Sequence, residues 1–223
     1  MIKAVFFDMN QTMLNMDLLK QEFDQHFEDE YVLKYWFSQL LHSSTVMGIM
    51  GVYKNFGELA GVALENLFHE NNKPLSLEQK NQILGVFKNL PAYEDVEPAI
   101  MLLKQRGISA IAVSNSSLSM IEEQLTNAHI LDLFDSYYSV DMVRNYKPFK
   151  DIYHSVAHAE QLNPEEVMMI ATHDWDLFGA KMAGLQTGYV ERKRTIYNPL
   201  YSQADYQASS LTELVSQFLD IDN

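Results

Sequence analysis

The chain has no cysteine among its 223 residues. That excludes a disulfide framework, a thiolate metal site and a cysteine nucleophile, and it agrees with a reducing compartment. No apolar run approaches the roughly 20 residues that span a bilayer. The apolar stretch around Lys3 is too short for a secretory signal and leads directly into Asp8, so a cytoplasmic location is expected. Positive charge is scarce. Sixteen Lys and Arg against thirty Asp and Glu leave a formal net charge of −14. Such a chain is a poor partner for nucleic acid. If its ligand is a small anion, local cations must hold it against a repulsive field. Repeats and low-complexity segments are also absent.

What is present is a 47% hydrophobic chain, long enough for one large domain or a domain with an insert. Residues 2–7 form a short β-branched and aromatic run, which predicts a strand buried on both faces of a parallel sheet. It stops at Asp8, followed by Asn10, Gln11 and Thr12. From about residue 14 to 90 the texture is helical. Leu33, Trp36, Phe37, Leu40 and Leu41 share one helix face, residues 56–67 suggest a second helix, and 75–90 a third with Ser76 as N-cap. Gly48 and Gly51 mark a bend within 42–56.

Strand and helix signals then alternate. Helix is expected at 95–106 (stopped by Gly107), 118–128, 151–161 and 177–183. Strand is expected at 108–113, 136–140, 167–171 and 187–190. Residues 195–209 read as a surface loop, and Ser210 with Glu213 as a capping box for the last helix. The expected fold is α/β: a doubly wound, Rossmann-like parallel sheet from residues 1–13 and 92–223, with an all-helical insert at 14–91.

Four strand ends carry polar groups: Asp8, Asn10 and Thr12; Ser114 and Asn115; Lys147; and the run from His173 to Asp176. In a parallel sheet these ends share one edge, where α/β proteins bind ligands. Taken singly, each has a structural explanation, Ser114 and Asp176 as N-caps and Lys147 as a solvated surface residue. Their coincidence points to chemistry. Asp8 supplies a carboxylate nucleophile. Lys147 keeps it ionised and attracts an anion. Thr12, Ser114 and helix N-terminal N–H groups bind an oxyanion. Asp176 orients either Lys147 or a hydrolytic water. His173 is either a base that activates water or a hydrogen-bonded loop residue. His42 reads as an exposed helix residue, and the methionines as core filler.

These four motifs, in this order and context, resemble the haloacid dehalogenase superfamily, with the helical insert where that family carries its cap domain. The run from Trp175 and Asp176 through Gly179, Ala180 and Gly184 is similar to the type II 2-haloacid dehalogenases, as is the cap segment from Trp36 to Ser43. The resemblance implies a hydrolase in which Asp8 forms an enzyme ester while opening a carbon–halogen bond of a small carboxylic acid. It implies a catalytic-site role for Tyr153, substrate contacts from Asn10, Thr12, Ser114, Asn115, Trp36 and Gln39, no cofactor, a small anionic substrate and a homodimer. By the Gln39-Leu40 anchor, Trp36 stands where that family places an anion-binding Arg. The alternative within the superfamily is a Mg²⁺-dependent phosphatase, with Asp8, Asn10 and Asp176 as ligands. Against it, Asn10 replaces the general acid and Thr172 replaces a metal-binding Asp. A further alternative is a catalytically weak, ligand-binding member.

Overall fold

The structure, a computed structural model, describes residues 1–193 and 195–219. In chain order its elements are β1 (Ala4–Phe7), α1 (Asp17–Asp24), α2 (Val32–Ile49), α3 (Phe56–Glu70), α4 (Leu77–Gly85), α5 (Val96–Gln105), β2 (Ser109–Ser114), α6 (Leu118–Asn127), β3 (Ser136–Ser139), α7 (Lys150–Ala159), β4 (Val167–Ala171), α8 (Asp174–Met182), β5 (Gln186–Val190), β6 (Tyr206–Ala208) and α9 (Leu211–Phe218). The six strands form one parallel sheet in the order β3-β2-β1-β4-β5-β6.

β1 and β4 are central, and their side chains, Ala-Val-Phe-Phe and Val-Met-Met-Ile-Ala, are all buried. Strands flanked on both sides and covered on both faces need apolar residues throughout. The chain adds β2 and β3 on one side of β1, then crosses back to place β4 on the other. Strand order therefore reverses at the β1–β4 boundary, and the loops leaving these two strands open a crevice.

The chain leaves the sheet after Leu14 and returns at Ala92. The outgoing and returning segments lie antiparallel: Asn15 N–H donates to Pro91 O (2.8 Å) and Tyr93 N–H to Met13 O (2.9 Å). Between them lie α1 to α4. Trp36 centres their core, with its ring centroid 5.3 Å from Phe23 and 5.7 Å from Phe87.

A second junction ties this helical segment to the sheet. The Tyr146 hydroxyl donates to Lys54 O (2.6 Å) and accepts from Lys54 N–H (2.9 Å). Tyr53 donates its hydroxyl hydrogen bond to Asp141 and stacks near Tyr146. Gly48 makes the approach close. A Cβ there would lie 2.5 Å from the Phe149 ring.

The structure departs from the sequence expectations in several places. The break expected within 42–56 is there but falls late in it: α2 runs on to Ile49, and Gly51 (φ +66°), not Gly48, turns the chain before α3 begins at Phe56. α1 was not anticipated, because only Leu19, Glu22 and Phe23 of its eight residues are buried. β6 lies inside the expected 195–209 loop. It is three residues long, pairs to β5 through the backbone and buries only Ala208, so it leaves almost no side-chain pattern. Ser210 does cap α9, accepting from Glu213 N–H (3.2 Å), but the Glu213 carboxylate accepts from Ser209 instead of Ser210.

Candidate active site

Asp8 is fixed at the tip of β1 by its N–H, which donates to Ile170 O of β4 (3.0 Å). The chain then reverses at once, with Gln11 in the left-handed region (φ +65°) and Leu14 N–H bonded to Met9 O (2.9 Å). This tight turn swings Thr12 back to Asp8. The Thr12 hydroxyl donates to Asp8 Oδ2 (2.6 Å) and accepts from Thr172 N–H (3.0 Å).

Lys147 arrives from the loop after β3. Its backbone N–H donates to the Asn115 side-chain oxygen (2.9 Å), which ties that loop to the end of β2. Its ammonium lies 3.2 Å from Asp8 Oδ1 and 2.9 Å from Asp176 Oδ2, and only 1% of its surface is exposed. α8 begins at Asp174, three residues earlier than expected. Asp176 therefore sits in its first turn, where the helix dipole favours negative charge. Tyr153, one turn into α7, donates its hydroxyl to Asp176 Oδ1. Gly179 lets α8 lie against the Lys147 loop, since a Cβ at that position would stand 2.4 Å from Pro148 O.

His173 precedes α8, and its side chain makes no capping hydrogen bond to that helix. Its Nδ1 lies 3.0 Å from Asp8 Oδ2 and its Nε2 3.1 Å from Gln11 Oε1. Its ring packs between Phe37 of α2 and Trp175.

These contacts divide the charges. Burial drives the Asp8 carboxyl upward, but the Lys147 ammonium, with His173 and Thr12, reverses this and holds it far below the ordinary carboxylate range. Burial holds Asp176 above its ordinary value, with Asp8 adding repulsion, although Lys147 and Tyr153 pull it down. Burial disfavours charge on Lys147, but Asp176 and Asp8 overcome this and raise its pKa. Tyr153, pushed well upward by burial and then by Asp176, stays a neutral donor. Two carboxylates whose environments separate their proton affinities are suited to different tasks. Asp8 is the stronger acid and remains ionised.

The site lies between two cavities, although Asp8 itself lines neither. A wide one of about 580 Å³ is bordered by Lys34, Phe37, His173, Trp175 and Lys193. A narrow one of about 90 Å³ is bordered by Asn10, Leu40, Phe56, Phe87 and Met120.

The structure brings Asp8, Lys147, Asp176, Tyr153 and His173 together, and it corrects several substrate contacts. Thr12 is fully buried and spends its proton on Asp8, so its hydroxyl has none left to donate to a substrate. Trp36 is fully buried in the helical core, its indole N–H on Ala60 O (3.2 Å), because the inward face of α2 repeats through Leu33, Trp36, Phe37 and Leu40. Gln39 falls on the outer face and is exposed, as is His42. Asn10 borders the narrow cavity, but its carbonyl oxygen accepts from Gln124 (3.1 Å) and its amide donates to Ser116 (3.4 Å). Ser114 accepts from Ser116 N–H (3.1 Å) and keeps its own proton to donate, and Asn115 keeps its amide NH₂. Two residues were missed. The sequence gives Gln11 no role beyond a polar residue after β1. Gln124 was passed over although it lies on the apolar face of α6 with Ile121 and Leu125, where a polar residue is the signal.

The donor set does not suit a hard cation. Magnesium needs several oxygens in near-octahedral array. Both Asp176 oxygens are engaged, by Tyr153 and Lys147, and Thr172 offers a hydroxyl where an acid would be needed. Among the described residues no group of three His, Cys, Asp or Glu converges on a point.

A carboxylate at the switch point of a parallel sheet, ionised by a buried lysine and covered by a helical insert, defines a hydrolase with an aspartate nucleophile. The chain belongs to the haloacid dehalogenase-like hydrolases, whose family model matches residues 2–184. Among curated proteins it is 24% identical over 219 residues to the (S)-2-haloacid dehalogenase of Pseudomonas sp. (strain YL), covering 97% of this chain and 94% of that one. It is 29% identical over 198 residues to the (S)-2-haloacid dehalogenase of Xanthobacter autotrophicus, covering 86% and 76%. Among solved structures, the L-2-haloacid dehalogenase of Xanthobacter autotrophicus with chloropropionic acid covalently bound shares the fold, with a TM-score of 0.89, 22% identity and complete coverage of both chains.

Proposed function

We propose that the protein hydrolyses a carbon–halogen bond in a small carboxylic acid through an ester on Asp8. The observation that carries this reading is the state of Asp8. Its carboxylate is held ionised, with Oδ1 bonded to Lys147 and Oδ2 to Thr12 and His173. In the first step an Asp8 oxygen attacks the carbon that bears the halogen. The carbon–halogen bond breaks and the halide leaves with the electron pair. In the second step water adds to the Asp8 carbonyl carbon and the new C–O bond to the substrate stays intact. The 2-hydroxy acid leaves and the carboxylate is restored.

Ester formation removes the negative charge that accepts from His173 Nδ1–H; the imidazole releases that proton to solvent in the wide cavity it borders, and the freed Nδ1 then takes the proton of the attacking water. Lys147 stabilises the oxyanion, and Asp176 with Tyr153 holds Lys147 in place. The Ser114 hydroxyl and Asn115 amide are the donors left for the substrate carboxylate. Residues 14–91 act as a cap domain that excludes water from the first step. The enzyme requires no cofactor and works as a soluble cytoplasmic protein, and a homodimer follows from the family.

The test is halide release from 2-chloropropionate, with Mg²⁺ and with EDTA, combined with single turnover in heavy-oxygen water. Release indifferent to EDTA, with the label entering Asp8, is expected. Absence of halide release, or phosphate-ester turnover that EDTA abolishes, would overturn it.

A further inference from the structure

The second ring nitrogen of His173 has a partner that ester formation and hydrolysis leave without a task. Nδ1 lies 3.0 Å from Asp8 Oδ2, and Nε2 lies 3.1 Å from Gln11 Oε1. Gln11 reaches the ring from the turn that follows β1. Its backbone is left-handed there (φ +65°), and its N–H donates to Leu14 O (2.9 Å). One short turn therefore carries both partners of one imidazole, Asp8 at its start and Gln11 within it. Packing keeps the ring in that setting. It is 6% exposed and lies between Phe37 (centroids 6.0 Å apart) and Trp175 (5.2 Å).

Which end of the Gln11 amide meets the ring decides what the ring can do. A side-chain amide can offer an imidazole either its oxygen or its NH₂. Here the oxygen faces Nε2, so Nε2 carries hydrogen and donates it. A neutral imidazole has a single N–H, and its place is set by the hydrogen bond the ring makes. With that hydrogen on Nε2, the lone pair falls on Nδ1, the nitrogen directed at Asp8. An NH₂ in place of Oε1 would draw the lone pair to Nε2. Nδ1 would then keep its hydrogen and could take no proton from water.

We infer that Gln11 is a positioning residue for His173: its Oε1 holds the hydrogen on Nε2 and so reserves Nδ1 as the base that deprotonates water. The inference rests on the proposed role of His173. In the resting site Nδ1–H donates to the Asp8 carboxylate and Nε2–H to Gln11. Once the ester has formed and Nδ1 has given its hydrogen to solvent, Gln11 retains Nε2–H and the lone pair stays on the ester side. Nδ1 takes one proton of the water as the water oxygen bonds to the Asp8 carbonyl carbon. The tetrahedral adduct then breaks its acyl C–O bond, and the 2-hydroxy acid leaves with the second proton of that water. The Asp8 carboxylate returns opposite Nδ1–H.

The test compares Gln11→Met, which keeps the side-chain length without an acceptor, with Gln11→Glu, which keeps an oxygen there. Decay of the Asp8 ester is followed by mass spectrometry during single turnover of 2-chloropropionate. Gln11→Met is expected to slow ester hydrolysis about tenfold, the worth of one neutral hydrogen bond, with the initial burst of chloride unchanged. Gln11→Glu should restore the rate. In a His173→Gln background Gln11→Met should add nothing, because its effect runs through the ring, whereas a residue that only supports the fold would slow both backgrounds alike. A second readout needs no turnover: the His173 Nε2–H resonance in ¹H–¹⁵N spectra, present in the unaltered protein and in Gln11→Glu and lost to exchange in Gln11→Met. Ester hydrolysis at full rate in Gln11→Met, or equal slowing with and without His173, would overturn the inference and leave the ester mechanism standing. A resonance that depends on Gln11 in a protein that releases no halide would uphold the hold on the ring and refute the ester mechanism alone.

Discussion

Lys147 is the residue on which the site's electrostatics turn. Its ammonium is shared by two carboxylates in a space almost closed to water. Lys147→Met would leave those two negative charges facing each other, and breaking a buried ionic contact from one side costs about 3–5 kcal/mol. The expected result is loss of activity together with a large fall in melting temperature, and Asp8→Asn added to it should restore part of the stability. The same contact sets an acid limit. The folded pKa of Asp8 lies below its unfolded value of about 3.8. Its contribution to stability is therefore full above that pH and is lost as pH falls toward the folded value. Acid unfolding of Asp8→Asn should be less steep in that window. His173 gives a kinetic prediction. If it takes the proton from water, His173→Gln slows the second step by about 10²- to 10⁴-fold and leaves the first largely intact. Mass spectrometry of the Asp8 peptide during turnover should then show accumulated ester, and its absence would remove His173 from that role. Residue identity made the meeting of Asp8, Lys147 and Asp176 legible. It did not show that Thr12 bonds Asp8 and that Trp36 lies in the helical core, because spacing along a chain does not say which way a side chain points. Thr12 turns back only through the left-handed Gln11, and Trp36 turns inward only because α2 buries that face.

Two elements carry the site, and both depend on a glycine at a crossing. α8 lies against the Lys147 loop at Gly179. Helix propensity alone favours alanine over glycine by about 1 kcal/mol, so Gly179→Ala would stabilise an isolated helix. Here the added Cβ would overlap Pro148. The expected outcome is a net destabilisation of about 1–3 kcal/mol, with lower turnover as the ammonium shifts from Asp176. A gain in melting temperature with full activity would show that the loop yields freely. The junction at Tyr146 joins the helical segment to the same loop. Tyr146→Phe leaves the part-buried N–H and C=O of Lys54 without that partner, a loss of about 0.5–1.5 kcal/mol. Because Tyr146 precedes Lys147, turnover should fall along with stability. Elements with strong periodicity were legible, β1, β4, α3 and α6 among them. α1 and β6 were not. One is short and half exposed, and the other is held by backbone pairing that no side-chain pattern records.

At the scale of the molecule, a net charge of −14 opposes the arrival of any anion. Long-range repulsion and short-range attraction respond differently to salt. Charges spread over the surface act across distances that the ions of about 0.15 M salt screen, with a Debye length near 8 Å. A cation beside Asp8 acts on a bound anion at contact distance, where screening is weaker. Raising ionic strength from near zero to about 0.15 M should therefore increase kcat/KM for 2-chloropropionate, because the repulsive field collapses before the local attraction does. The amide of the same acid carries no charge and should show no such dependence. A decrease for the acid would mean that the local cations dominate its approach, so that the acidic surface serves solubility and has little bearing on how fast substrate reaches Asp8.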